Sequence, residues 1–597
     1  MARTAILLAE NLDGQLLNLA KLLDFFGVPW DLLGIDKICE THVPIEKGAY
    51  CVLADMRCAG QILAGLKTGE AVPSLLRKAE SLFFFGSDFS DNAQCLVQKV
   101  TQSPTAGPKA IPELEVICSV SDYRRDICGP FSGLEVIASL SDSQFVMTGI
   151  QRSDSVVPLI SVEQGIVFLA SAFNGMKCFL ASSVTVVDLQ APLRKPYYDV
   201  AEDFLTAVPF VMYLRYAFDE TVFRPSEAAA CVILDDPLLR KRYGFVDFSK
   251  VERASCDHGF SLNLAVIPWN YKRSRASVVN IFKRNTDRLS ISVHGCDHSA
   301  REFATGNAEA INGKARLALA RMNEHERRNG LSFDPIMVFP QGAFSSIAPG
   351  LLRQGAFIAA VNTELLPIEK DLVPDLGDAW SMAILKYGDF AIYSRRYAFH
   401  GLHNFAFDLL LGKPCLLTTH HHDFHDDNRD LIQFVHQLNG LNSHLTWRPL
   451  GELIRRAYLQ RFRSDGTREV RMFGNEIYID NDDAKNRHIA VEKLSRAGGE
   501  VDCVLVSGKS IPFWFESNRL RFDFVLSGNE SVVVRIQYKD FQGNKVLRLP
   551  LQSRVKIGLR RRLSELRDET QARAPWVYSV VQGTRTGLTK SLPRAVE

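Results

Sequence analysis

Residues 292–303 read "SVHGCDHSAREF". The run "LSISVHG" that leads into them alternates and is rich in small and β-branched residues, which predicts a strand ending at His294. Gly295 then allows a sharp turn, and His298 comes back four residues after the first imidazole. Two histidines so placed can grip one metal ion, provided a third ligand comes from elsewhere in the chain.

Working outward, the same pattern of an apolar strand with a polar end recurs on both sides. "AACVILDDP" ends on Asp235 and Asp236, with Pro237 breaking the strand, and "IMVFPQG" ends on Pro340, Gln341 and Gly342. "CLLTTHHHDFHDD" ends in His420, His421 and His422, and residues 420–425 hold four of the 14 histidines. "FSLNLAVIP", "FIAAVNT" and "FAIYS" complete about seven strand candidates between residues 228 and 462. Long helical segments separate them, the clearest being "NAEAINGKARLALARMNEHERRNG" at 307–330. Strands alternating with helices predict an irregular (β/α) barrel, and in such barrels reactive side chains gather at the C-terminal strand ends. Taken singly, an Asp-Asp-Pro is usually a turn and a histidine run usually a solvated loop. Their joint occurrence at the strand ends of one barrel is what points to a site.

The flanks read differently. Residues 1–190 begin with βα alternation ("TAILLA", "AYCVLAD", "SLFFFG") and pass into β-like runs after residue 112, which predicts a three-layer α/β domain with a β-rich insertion. Residues 191–227 read as a helical linker, 463–550 as a small β-sandwich, and 551–597 as a basic helix and tail. The whole is therefore expected to be an α/β protein with a central barrel and a C-terminal sandwich. No glycine-rich nucleotide fingerprint is present.

The composition is that of a globular protein: 597 residues, 46% hydrophobic, 23% charged, net charge +2. Ten Lys/Arg and four Asp/Glu fall from residue 553 onward, leaving the rest slightly acidic. The tail has too few aromatics to predict a nucleic-acid partner. It could meet anionic lipid head groups or phosphate, though a solvated helix face is the blander reading. The 12 cysteines are scattered without C-x-x-C pairs, which suits reduced, buried thiols. With no signal-peptide pattern and no long apolar run, a cytoplasmic protein is expected.

On Asp235-Asp236, His294/His298, the Pro340–Gly342 loop and the 420–422 histidines, the segment 228–425 resembles the NodB-homology polysaccharide deacetylases. Its neighbouring domains are similar to those of multi-domain relatives found with bacterial surface-polysaccharide genes. The resemblance implies a NodB-type barrel and a divalent metal, zinc by preference or Co, Ni or Mn, on Asp236, His294 and His298. Two imidazoles and a carboxylate make the three-ligand set of a catalytic zinc, which lowers the pKa of bound water towards about 7. The resemblance makes Asp235 the general base and a histidine of the last strand the proton donor. It favours His421, which opens an H-x-x-F pattern, with His420 and His422 as alternatives. Pro340, Gln341 and Gly342 would line the substrate subsite.

Three departures stand out. The family's fourth-strand arginine falls on Val338 and its aromatic on Gln341, while Pro237 replaces a glycine. The group that steers Asp235 and completes the subsite must come from elsewhere; Trp380, Arg395, Arg396 and His403 are the candidates. The implied substrate is an N-acetylated amino sugar of a polysaccharide or a cytoplasmic precursor, nucleotide- or lipid-linked. The competing expectations are a glycoside hydrolase with paired carboxylates, and a glycan-binding scaffold without turnover.

Overall fold

The computed structural model describes all residues except 1–2, 13, 36–47, 65–72, 87–89, 141–143, 152, 154, 370–371, 497–499, 540–548 and 575–597. The last of these segments takes in the tail beyond the basic helix, so that part of the expectation lies outside the described residues.

The central sheet is built from short, almost wholly buried strands: β1 (Ala229–Asp235), β2 (Leu262–Val266), β3 (Leu289–His294), β4 (Ile336–Val338), β5 (Ala359–Asn362), β6 (Ile392–Ser394), β7 (Arg396–Tyr397) and β8 (Cys415–Thr419). Their order is β6-β5-β4-β3-β2-β1-β8-β7, and every pairing along it is parallel. Strands β6 and β7 are one run of chain interrupted at Arg395. Ile392–Ser394 pairs with β5, and Arg396 and Tyr397 pair with β8. The two ends of the sheet therefore meet at that run, giving the irregular seven-stranded barrel expected from the sequence. Because the strands are parallel, all their C-terminal ends open on one rim.

Ahead of the barrel, five parallel strands (Trp30–Leu33, Thr4–Leu8, Tyr50–Asp55, Ser81–Phe85 and Met176–Ala181) continue into antiparallel ones within one 11-stranded sheet. The β-rich stretch is thus an extension of the α/β sheet. The helix Phe204–Ala217 is buried on nearly every side. Its Tyr213 stacks on Phe83 at 4.3 Å, and its Arg215 donates to the carbonyls of Leu410 and Leu411 beside the barrel. One core runs without a break from Leu7 through Tyr213 to Leu234 and Phe407. The segment expected to be a linker is therefore a shared core element, and burial of this order resists independent movement of the two parts.

Behind the barrel, a six-stranded and a four-stranded sheet pack Val470, Ile489 and Phe522 against Ile477, Val504 and Val534. This is the expected sandwich. The strand Leu459–Phe462, read from the sequence as the end of the barrel, pairs with Arg468–Met472 and belongs to the sandwich. A long C-terminal helix, Leu551–Arg573, follows. No helix among the described residues is long and apolar enough to cross a membrane.

Candidate metal centre

Strand β1 delivers Asp235 at its last position. Adjacent strand residues point to opposite faces, so a second carboxylate joins the first only where the backbone turns. Asp236 has φ of 82°, a left-handed conformation that an aspartate tolerates better than most side chains, and Pro237 ends the strand. On β3 the same device recurs: Gly295 (φ 62°) and His298 (φ 53°) fold the chain back on itself. A Cβ at Gly295 would stand 2.1 Å from Glu302 Oε1 and 2.4 Å from Pro340 Cγ. Only glycine fits there.

These turns bring three ligand atoms together. Asp236 Oδ1 lies 3.6 Å from His294 Nε2 and 3.2 Å from His298 Nε2. One ligand atom from each residue falls within 4.8 Å of the others, the one such cluster found among the described residues. Asp236 Oδ1 is buried yet accepts no hydrogen bond. A buried carboxylate oxygen without a donor is costly, and a cation held between it and the imidazoles removes that cost. His294 Nδ1 stands 3.1 Å from the carbonyl oxygen of Val338. A proton there, donated to that carbonyl, leaves the Nε2 lone pair facing Asp236. Burial draws His294 down to about 4, so the ring is neutral at pH 7, the form that binds metal. The donor set therefore fits a divalent ion of the zinc type.

Asp235 stands apart from this cluster in its bonding. Arg395, at the interruption between β6 and β7, donates to both its oxygens, each at 2.8 Å. Burial alone would raise the carboxyl, but Arg395, His294 and His420 outweigh it and hold it well below the usual carboxylate range. Arg395, expected among the substrate-binding side chains, is buried and turned onto Asp235. It takes up the position that the resemblance left open at Val338.

The other expected residues divide. Pro340 and Gly342 lie at the rim beside Gly295, where Asn362 donates to the Gly342 carbonyl at 2.8 Å, and Gln341 is exposed next to them. Trp380 does not reach the rim. It is 1% exposed, packed among Phe25, Tyr198 and Phe407, because its helix Leu376–Trp380 leans towards the N-terminal sheet. Arg396 faces away and binds Asp408. His403 binds Asp199 at 3.2 Å.

The histidine run also splits. His420 is the last extended residue of the strand run (φ −125°, ψ 174°), and His421 opens a 3-10 turn. His421, favoured from the sequence as proton donor, stacks on Phe245 and has its Nε2 3.6 Å from Asp568 of the C-terminal helix. The turn carries it off the strand direction and towards that helix. His420 is the histidine whose charge reaches Asp235, and its ring stacks on Tyr397 at 5.9 Å. His420 and His422 do share a face, their rings 5.7 Å apart.

Several contributors were not anticipated. Glu302 accepts from the backbone N–H groups of Cys296, Asp297 and His298 at 2.8, 3.1 and 3.1 Å and so shapes the ligand loop. Asp297 is held by Lys314 at 2.7 Å and Arg321 at 2.6 Å. The spacing of Glu302 four residues after His298 was the only signal. Tyr397 stacks on Phe399, which is 80% exposed at the rim.

The sequence matches no family model and no curated protein. Among solved structures its likeness is to carbohydrate deacetylases and esterases. One is the novel carbohydrate deacetylase Agd3, 8% identical, with a TM-score of 0.46 over 90% of this chain and 99% of that one. A family 4 carbohydrate esterase from Streptomyces lividans, solved with acetate, is 9% identical, with a TM-score of 0.25 over 37% of this chain and 92% of that one. A family 4 carbohydrate esterase from Bacillus anthracis is 12% identical, with a TM-score of 0.24 over 39% and 86%.

Proposed function

We propose that the protein is a metal-dependent deacetylase acting on an N-acetyl or related acyl group of an amino sugar. The observation that carries this reading is the pairing of two unlike carboxylates on one turn. Asp236 offers an unsatisfied oxygen to His294 and His298, while Asp235 is locked in a two-point ion pair with Arg395.

Asp236, His294 and His298 would hold the ion, zinc by preference or Co, Ni or Mn. Once bound, it supplies an acidic water and polarises the scissile carbonyl. Asp235, kept ionised and oriented by Arg395, takes the proton from the attacking water. His420, directly after the neighbouring strand β8, returns a proton to the departing amine, with His422 as its stacked neighbour. The exposed aromatic face of Phe399 beside Tyr397 offers an apolar surface to a sugar ring. A glycosidase needs two carboxylates facing each other across the substrate, whereas Asp235 and Asp236 are neighbours on one turn and Asp236 faces two imidazoles.

The substrate in this reading is a polysaccharide or its precursor, nucleotide- or lipid-linked, and a cytoplasmic setting belongs to the same reading. Metal quantification combined with acetate release across a panel of N-acetylated glycans and linked amino sugars tests it. Stoichiometric metal and acetate release from an amino sugar are expected. A protein that binds no divalent ion after loading would end the proposal.

A further inference from the structure

The helix Leu551–Arg573 is amphipathic with its faces reversed. Its buried side carries charge: Arg561, Glu565 and Asp568 are all buried. Each is turned towards the barrel rim. Glu565 forms a two-point pair with Arg273. Asp568 accepts from the Tyr243 hydroxyl at 2.7 Å and lies beside His421. A Cβ built on Gly558 would stand 3.8 Å from the Trp269 ring, just beyond the end of β2. The helix thus runs across the loops that follow β1, β2 and β8, next to the candidate metal centre.

Its outward side is apolar. Leu551, Val555, Leu559, Leu563 and Leu566 recur every three or four residues, which keeps them on one face, and they are between 57% and 73% exposed. At 1.5 Å per residue the stripe is about 22 Å long. Contiguous apolar surface of this kind marks a contact.

What borders the stripe selects the partner. Arg554, Lys556, Arg560 and Arg562 are exposed along it. The helix has three carboxylates, and all are engaged: Glu565 and Asp568 at the rim, Glu569 with Arg573 at 2.9 Å. The outer surface therefore combines leucines with cations and has no available acid. A second copy laid on the same stripe would set arginine against arginine. An anionic lipid surface accepts both features, leucines at the acyl boundary and cations on the head groups.

We propose that this helix docks the protein on an anionic lipid surface and holds the barrel rim facing the bilayer. The inference stands independently of the reaction proposed above, since it uses none of the ligands or proton-transfer groups.

Vesicle flotation of the full chain tests it, using phosphatidylcholine alone and phosphatidylcholine mixed with phosphatidylglycerol. The wild type is expected to float with the mixed vesicles, to remain behind with phosphatidylcholine alone, and to be released by salt. The double variants Leu559→Glu/Leu563→Glu and Arg560→Glu/Arg562→Glu are expected to lower the bound fraction by about tenfold or more. Both alter exposed positions, so helix content by circular dichroism and metal content should match the wild type. Failure of the wild type to float with anionic vesicles, or equal flotation of both variants, would overturn the proposal. So would a dimer by light scattering that Leu559→Glu converts to monomer, because a second copy would then cover the stripe.

Discussion

Arg395 and Arg396 are neighbours in the chain, both buried, and each makes a two-point ion pair with an aspartate. Strand alternation sends them to opposite sides of the barrel wall. Arg395 meets Asp235 at the rim, among titratable groups that could exchange a proton. Arg396 meets Asp408 and the carbonyl of Tyr198 at 2.7 Å, in the core shared with the N-terminal sheet. Chemically the pairs are alike. What a buried ion pair does is set by what lies on its far side: the rim and the candidate metal centre in one case, packed side chains in the other.

Substitutions can break this contrast. The largest effect is expected from Asp236→Ala, which removes a ligand: metal content by mass spectrometry should fall to background and acetate release with it. Asp235→Asn should retain metal while turnover drops by roughly 10²–10⁴, the range of general-base catalysis. Undiminished acetate release would remove Asp235 from the mechanism. The arginines should then part company. Arg396→Met leaves Asp408 buried with only Lys413 near, and should cost about 3–5 kcal/mol of stability. Arg395→Met should cost less, because Asp235 lies at the rim with His420 nearby, yet it should lower kcat while leaving metal in place. Equal losses of Tm in the two variants would erase the contrast.

The smallest effect concerns Lys413, which donates to the Ala379 carbonyl at 2.6 Å and stands 3.7 Å from Asp408. Burial, with a further contribution from Arg396, pulls it down to about 8, below its unfolded value. At pH below about 8 both states are protonated and the cost of burying the charge stands in full. Between about pH 8 and its unfolded pKa of roughly 10.4 the unfolded state binds the extra proton, so stability gains at most about 1.4 kcal/mol per pH unit. Denaturant titrations across that window should show the gain in the wild type and its loss in Lys413→Met.

Much of this was legible in the chain. Each barrel strand is a short apolar run with a polar end, and parallel order puts those ends on one rim, so Asp236, His294 and His298 could be read together. The rest was hidden for definable reasons. Arg395 could not be told from Arg396, Trp380 or His403, because a partner chosen by barrel closure leaves no local pattern. His421 was favoured on its H-x-x-F pattern, and the 3-10 turn that begins there, which sets its direction apart from that of His420, leaves no mark in that pattern. The helix at 551–573 reads in sequence as basic, and only the structure reveals that Arg561, Glu565 and Asp568 are the side chains turned inward.

The interruption at Arg395 has one more consequence. A cylinder of parallel strands has to be closed by a last pairing, here the short one of Arg396 and Tyr397 with β8, and the residue at that closure is also the partner of Asp235. Warming that loosens the seam would misplace the carboxylate before the helices melt, so the molecule would fall silent while still looking folded.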